Sequence, residues 1–452
     1  MNEIDQSLLS LEYKRRVLYR TDMLKKLLHH ILIHEDGISQ ALYDDFKKPE
    51  FESVLTEISI VVSELRYTIR NLESWGRPKL VFPSLLNFPS TDYIYSEPYG
   101  DVLIIAPWNY PFQLAMIPLI AAIAGGNTVT LKPSELTPRT SNAIGKIVSF
   151  ACDSYCVKVV EGGPEVTTEL LKKRWDYIFF TGSVAVGKII AKAAAEHLTP
   201  VTLELGGKNP CIVHDTANIP LAAKRIVWGK FINAGQTCIA PDYLVVHKKV
   251  KAELITALKK ELLLAYGNDP KQSPDYARII NKKNWDRLND MIDHEDIIHG
   301  GVTDEETLYI APTLIEENTL DSKVMDGEIF GPLLPIVAYV NDEDLDYIVR
   351  KHLRPLALYL FTSDMKFATR TMRKYAFGGG CINDTVVHFG NRNLPFGGIG
   401  ESGLGAYHGK RSYDLFTHKK SIVRKATWLD IPFRYAPYGN KVALLRQWIK
   451  WF

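Results

Sequence analysis

The stretch DVLIIAPWNYPFQLAMIPLIAAIAGGNTVTLKP (101–133) sets the fold class. Its first part, DVLIIAP (101–107), is an apolar run of strand length. Residues 112–124 read as a helix, and NTVTLKP (127–133) returns to strand. The unit repeats downstream, with a helix over 138–150, strand VKVVEGG (157–163), helix 164–173, strand DYIFFTG (176–182), helix 184–197 and strand PVTLELGG (200–207). This alternation predicts βαβ units and a parallel, doubly wound α/β sheet. Ligands of such sheets bind beyond the carboxyl ends of the strands.

Upstream, residues 1–75 read as helical, because Leu24, Leu27, Leu28 and Ile31, and then Leu55, Ile58, Val62 and Leu65, recur at helical spacing. VFPSLLNFPSTDYIYSEP (81–98) breaks the pattern with three prolines and an alternating run at Tyr93–Tyr95, which predicts a connector with an extended segment at a sheet edge. Downstream come the strand NPCIVH, a helix over 218–233, the strand YLVVH (243–247) and helices over 250–265 and 277–293. The strands LPIVAYV (334–340) and LALYLFT (356–362) complete a second α/β domain. The closing segment 421–452 leaves the pattern and ends in KVALLRQWIKWF.

A chain of 452 residues exceeds one simple core, so two or more domains are expected. A net charge of +2 gives no footing for nucleic acid. The longest apolar stretch, LAMIPLIAAIAGG (114–126), contains Pro118 and is too short to span a bilayer. Residues 1–20 mix Asp5, Glu12, Lys14 and Arg15 with short apolar runs, so no leader is expected. Five cysteines without framework spacing fit a reducing cytoplasm.

Two nucleotide signals fail on inspection. The literal GxGxxG at Gly398, Gly400 and Gly403 follows the loop-like NRNLPF instead of a strand. GSVAVGK (182–188) approaches a P-loop, but Ile189 stands where a hydroxyl must hold Mg²⁺. The same segment still places Gly182 at a strand end and Gly187 in the first turn of a helix, a spot whose N–H groups suit a pyrophosphate. A plain strand–helix turn is the equal alternative. Lys132 and Glu135 in LKPSE (131–135) can reach ribose hydroxyls, or form an ordinary surface pair.

The chemistry centres on Cys238, which ends FINAGQTC (231–238), and on Glu204 in LELGG. A thiolate attacks an electrophilic carbon, and a carboxylate activates water to release the product. Taken alone, a free Cys reads first as a small buried apolar residue. Asn109 in APWNYP (106–111) can donate to a developing oxyanion, or simply sit in a turn. Glu328 and Phe330 in EIFGP (328–332) can meet sugar hydroxyls and a flat ring, or be surface and core.

PWNYP, LKPSE, FTGSVAVG, LELGGKNP, GQTC, EIFGP and LPFGG occur in one order between 107 and 398. This ordered set resembles the aldehyde dehydrogenase superfamily over essentially the whole chain. Within it the chain looks like the class 3 branch, the fatty and aromatic aldehyde dehydrogenases. That placement rests on the lack of a long N-terminal arm, on GQTCIAPDY (235–243) and on LPFGGIGESGLGAYHGKRSYDLF (394–416).

The resemblance implies two doubly wound α/β domains plus a small oligomerisation region. Residues 1–80 and 99–209 would bind the dinucleotide, 210–420 would form the catalytic domain, and 81–98 with 421–452 would supply the oligomerisation segment and C-terminal tail. Cys238 is implied as nucleophile, Asn109 and the Cys238 backbone N–H as oxyanion donors, and Glu204 as the base that hydrolyses a thioester. Lys132 and Glu135 are implied at the adenosine ribose, and Gly182, Ser183 and Gly187 at the pyrophosphate. Pro107 and Trp108 would line the site, Glu328 would hold the nicotinamide ribose and Phe330 would contact the nicotinamide end. The implied cofactor is NAD, because a carboxylate at 135 repels a 2′-phosphate; class 3 relatives also accept NADP. Tyr110 and His388 match class 3 positions and are candidates for the substrate tunnel, with ordinary packing as the alternative.

The implied substrate is a medium- or long-chain aliphatic or aromatic aldehyde, and the implied assembly is a cytoplasmic homodimer. Two alternatives remain. An acyl-transferring enzyme using coenzyme A or phosphate would bring its own nucleophile and leave Glu204 without a task. A non-enzymatic protein on this scaffold would not keep Asn109, Glu204, Cys238 and Glu328 together. No metal is expected, since His30 and His34 have no third ligand nearby and Cys152 and Cys156 lack zinc spacing. In the segment 440–452, Val442, Leu445, Trp448, Ile449 and Phe452 share one face, among Lys441, Arg446 and Lys450. Packing on the partner subunit ranks first there, cover of the substrate entrance second, and membrane contact last.

Overall fold

The computed structural model describes residues 3–84, 87–292 and 296–449, with backbone alone for 3–15 and 448. The alternation that starts at 101 forms a sheet ordered Gly403–Leu404, Val201–Glu204, Tyr177–Thr181, Asp101–Ile105, Thr128–Lys132 and Val157–Val159. The strands between 101 and 204 are parallel. Gly403–Leu404 pairs antiparallel, with Gly403 opposite Glu204. Sheet growth reverses between Asp101–Ile105 and Tyr177–Thr181, so a crevice opens beyond their carboxyl ends. Pro107, Trp108, Gly182 and Ser183 lie immediately beyond those two ends.

The helix Pro111–Gly125 is apolar on every side, and all of its residues are buried. A helix with no polar face must be enclosed, and this one lies among the N-terminal helices Glu3–Ile33 and Ser59–Gly76 and the strand Asp101–Ile105. It stops at Gly126, whose φ of 91° suits glycine and whose N–H caps Ala122 and Ile123.

The second sheet, of seven strands, runs Asp296–His299, Thr313–Glu317, Leu333–Tyr339, Tyr243–His247, Pro210–Val213, Ala357–Phe361 and Gly379–Ile382. Its pairs are parallel except at Asp296–His299. This is the second α/β unit expected after 210.

Three local expectations are corrected. The extended segment around Tyr93–Tyr95 is not an edge: Ser90–Pro98 is the middle strand of an antiparallel sheet, between Lys79–Val81 and Thr417–Lys425. Its register runs unbroken from Pro98 opposite Thr417 to Ser90 opposite Lys425, so the closing segment read from 421 begins inside a strand. The helix expected over 218–233 ends at Phe231, because Asn233 and Ala234 turn left-handed. The helix expected from 277 starts at Lys282, because the N–H groups of Arg278, Ile279 and Ile280 are drawn off to Phe46, Leu308 and Gln236.

The C-terminal helix Lys441–Ile449 leaves Val442, Leu444, Leu445 and Ile449 exposed. Lys450 and Phe452 lie outside the described residues, as does the Trp448 side chain. Among the described residues no helix is long and apolar enough to cross a membrane.

Candidate active site

The loop that carries Cys238 is shaped by distant side chains. After Phe231 the chain adopts φ of 55° at Asn233, 51° at Ala234 and 73° at Gly235. Left-handed residues in a row are costly for side chains with a Cβ, so they need external anchors. Glu52 accepts the Asn233 N–H at 2.9 Å. The Gln236 amide donates to the carbonyls of Asn233 (3.1 Å) and Arg278 (3.0 Å) and accepts the Ile280 N–H at 3.0 Å. At Gly235 a Cβ would collide with the Gly331 carbonyl. The Asn209 amide then donates to the carbonyls of Cys238 (2.8 Å) and Ala240 (3.0 Å), and Tyr359 donates to that of Ile239 at 2.5 Å. The nucleophile candidate stands on a backbone with little freedom. Gln236 and Asn209 sit inside motifs quoted above; nothing in the local sequence marks Glu52 or Tyr359.

Cys238, Glu204, Thr181 and Tyr110 line one cavity of about 390 Å³. Its other walls are largely apolar, among them Leu114, Trp228, Ile232 and Phe396. Burial pushes the Cys238 thiol well above its ordinary range, and the nearby carboxylates of Glu328 and Glu204 push further. The backbone N–H groups of Cys238 and Ile239 oppose that shift by bonding to the sulfur. Glu204 is buried, neither of its carboxyl oxygens has a partner among the described residues, and desolvation holds it well above the usual carboxylate range. Burial thus favours the protonated form of both groups.

Asn109 is buried, and its side-chain amide donates to the Gln236 carbonyl at 3.1 Å, while its own carbonyl accepts from Asn233 at 2.9 Å. Asn109 is not itself among the residues that line the cavity, although its neighbour Tyr110 is. Tyr110 bonds Thr237 at 2.7 Å, next to the thiol. Behind them, Glu57 accepts the first N–H groups of the buried helix, from Phe112 at 2.8 Å and Gln113 at 3.2 Å, and pairs with Lys48 at 2.6 Å. Both partners of that ion pair are fully buried. Lys48→Met leaves the Glu57 carboxylate uncompensated, and we expect about 3–5 kcal/mol of lost stability in denaturant unfolding.

His388 stands one layer back. It is not among the lining residues, although Val387 and Phe389 are. Its ring stacks on Phe396 at 6.2 Å, its Nδ1 lies 3.6 Å from the Cys381 sulfur, and burial pushes it down to about 4. His30 and His34 stack on Phe150 at the surface. Among the described residues no group of three or more His, Cys, Asp or Glu is placed to hold a metal ion.

The remaining candidates gather at the strand ends. Lys132 is buried and pairs at 2.5 Å with the half-exposed Glu135. Ser183 caps the helix Val184–Ala195 by accepting the Val186 N–H, and Gly187 brings that helix close enough that a Cβ would lie 2.7 Å from Leu205. Trp108 meets Phe330 edge to face at 5.2 Å. Glu328 packs against Gly206, where a Cβ would strike its carboxylate, and its Oε1 has no partner among the described residues. Burial first, then Asp242, push Glu328 up to about 8. The turn that carries it is clamped. Lys208 donates to the carbonyls of Val324 (2.5 Å) and Gly327 (2.9 Å) and to Asp242 (2.6 Å), and Asp242 accepts the Ile329 N–H at 3.0 Å. Glycine cradles, a helix N-terminus and a buried acceptor without a partner fit a dinucleotide crossing the switch point.

Comparison with known proteins agrees. A family model, the aldehyde dehydrogenase family, matches residues 13–422. The chain is 47% identical over 436 residues to the 4,4'-diaponeurosporen-aldehyde dehydrogenase of Staphylococcus aureus, covering 96% of this chain and 95% of that protein. It is 44% identical over 434 residues to aldehyde dehydrogenase family 3 member H1 of Arabidopsis thaliana, covering 95% and 90%. The substrate-bound state of Staphylococcus aureus AldH has a TM-score of 0.94 at 46% identity, covering 99% of this chain and 100% of that one.

Proposed function

We infer the roles of individual residues from one premise: this chain belongs to the aldehyde dehydrogenase family, has family 3 relatives, and catalyses NAD(P)-dependent oxidation of aldehydes to carboxylic acids. The observation that carries the assignment is the shared cavity of Cys238 and Glu204. The Cys238 thiol gives up its proton to solvent as its sulfur attacks the carbonyl carbon, and the oxygen that becomes anionic takes hydrogen bonds from an Asn109 side-chain N–H and the Cys238 backbone N–H. A bound dinucleotide would supply the hydride acceptor: Glu328 would hold its nicotinamide ribose, Phe330 and the Pro107–Trp108 turn would contact the nicotinamide end, Gly182, Ser183 and Gly187 would meet its pyrophosphate, and Lys132 with Glu135 its adenosine ribose. Loss of the hydride leaves a thioester on Cys238. Glu204, as the carboxylate, then takes a proton from water as the water oxygen attacks that thioester, the C–S bond breaks, and that proton passes from Glu204 to the departing sulfur.

A buried donor on the oxyanion is typically worth about 3 kcal/mol. Asn109→Ala therefore lowers kcat roughly 100- to 1,000-fold, while alkylation of Cys238 by iodoacetamide without cofactor stays near the wild-type rate. Equal losses in both assays would make Asn109 a structural residue only. Acid formation at full rate without coenzyme A or phosphate separates hydrolysis from acyl transfer. The Lys132 ammonium beside Glu135 offsets part of the repulsion a 2′-phosphate would meet, which favours NAD while admitting NADP.

The apolar walls favour hydrophobic or aromatic aldehydes. We assign dinucleotide binding to 1–80 and 99–209 and catalysis to 210–420, with 81–98 and 421–452 joining two copies. Support for a homodimer comes from the strand Thr417–Lys425, which is exposed from His418 to Arg424, and from the exposed Trp428, Tyr435 and Tyr438 beyond it. Light scattering after gel filtration is expected to give twice the chain mass, and the chain mass after removal of 426–452. The cysteines are all free, as suits a cytoplasmic site, and the exposed tail packs on the partner in preference to lipid.

A further inference from the structure

Gln113 is an apolar helix's one polar side chain, and it faces the cavity. It is 2% exposed, it lines the cavity, and its amide nitrogen has no hydrogen-bond partner among the described residues. Its backbone N–H donates to the Glu57 carboxylate. Four other lining hydroxyls are committed: Thr56 donates to the Glu52 carbonyl at 2.6 Å, Ser59 to that of Leu55 at 2.8 Å, and Tyr110 and Thr237 bond each other. Thr181 also lacks a partner, but it lies opposite Glu204 in the sheet register, at the reacting end. Gln113 lies in the first turn of the helix Pro111–Gly125, just after Asn109 and Tyr110 in the chain.

An amide N–H buried without a partner costs about 1–3 kcal/mol, and a ligand oxygen placed there recovers it. We propose that Gln113 is a specificity residue that selects aldehydes bearing a hydrogen-bond-accepting oxygen several bonds from the aldehyde carbon. The proposal rests on the reading of the cavity as the aldehyde site and names the substrate class that site prefers. The carbon chain meets apolar walls, and the remote oxygen meets the Gln113 amide, whose nitrogen has no partner among the described residues.

The test compares heptanal with its two isosteres in which an ether oxygen replaces the fifth or the sixth chain atom. Chain length and aldehyde reactivity are nearly matched, so the ratio of kcat/KM for ether over hydrocarbon isolates recognition of the oxygen. In the wild type one of the two ratios exceeds that of Gln113→Leu by about threefold to tenfold, the range of one neutral hydrogen bond. Gln113→Met, unbranched and of similar length, gives the same shift if the leucine variant folds poorly. Ratios that agree within twofold across all three enzymes at both positions overturn the proposal, while oxidation of heptanal leaves the reading of the cavity standing. Failure of the wild type to oxidise heptanal would remove that reading, and the proposal with it.

Discussion

Cys238→Ala abolishes formation of reduced dinucleotide with every aldehyde, while the protein stays folded and still binds its cofactor. The substitution deletes a single sulfur beside an existing cavity, so the packing loss is small compared with the several kcal/mol of deep core truncations. The loop keeps its shape because its supports touch only backbone: Asn209 holds the carbonyls of Cys238 and Ala240, and Tyr359 holds that of Ile239. Thermal melting and dinucleotide fluorescence quenching check the fold and the binding, and absorbance of the reduced cofactor checks the chemistry. Residual turnover above the solvent reaction would show that another group forms the covalent bond.

Glu204→Gln separates the two halves of the reaction. Acylation leaves a burst of reduced dinucleotide approaching one equivalent per site, and the following steady rate falls roughly 100- to 10,000-fold, the usual worth of a positioned base. Stopped-flow mixing with excess aldehyde reads both phases; an unchanged steady rate would take the base role from Glu204. Stability moves the other way. Burial raises the folded-state pKa of Glu204 above its unfolded value. Below the unfolded pKa, near 4.5, both states hold the proton and the group has no effect on stability. Above it the unfolded chain releases a proton that the folded chain retains, so stability falls as pH rises, by about 1.4 kcal/mol per pH unit until the folded group ionises. Glu204→Gln, which cannot ionise, is therefore more stable than the wild type at neutral pH, and the gain vanishes in acid. In the wild type both reactive forms, thiolate and carboxylate, gain population as pH rises, so turnover climbs into the alkaline range.

The part of the fold that rests on neighbours in sequence was legible. From 101 to 159 and again from 177 to 204 each strand pairs with the next in sequence, and the apolar runs mark these strands without reference to anything distant. The helix over 218–233 overran because its stop is enforced by Glu52, 181 residues upstream. Ser90–Pro98 reads as an edge for the same reason: its outer neighbour, Thr417–Lys425, arrives more than three hundred residues later. The site divides along the same line. Cys238, Glu204 and Asn109 stand in short motifs whose chemistry is visible in the residues themselves. Lys48, Glu57 and Tyr359 act through fully buried contacts with distant segments, and no pattern in their own surroundings distinguishes them from ordinary core.

The grip of Asn209 on the Cys238 carbonyl reaches beyond the loop's shape. A trans peptide is planar and points its two polar ends in opposite directions, so fixing that oxygen inward turns the Ile239 N–H outward, onto the sulfur. That positive edge belongs to the main chain and is inherited whatever side chain position 239 carries. Proline at 239 would erase the hydrogen itself.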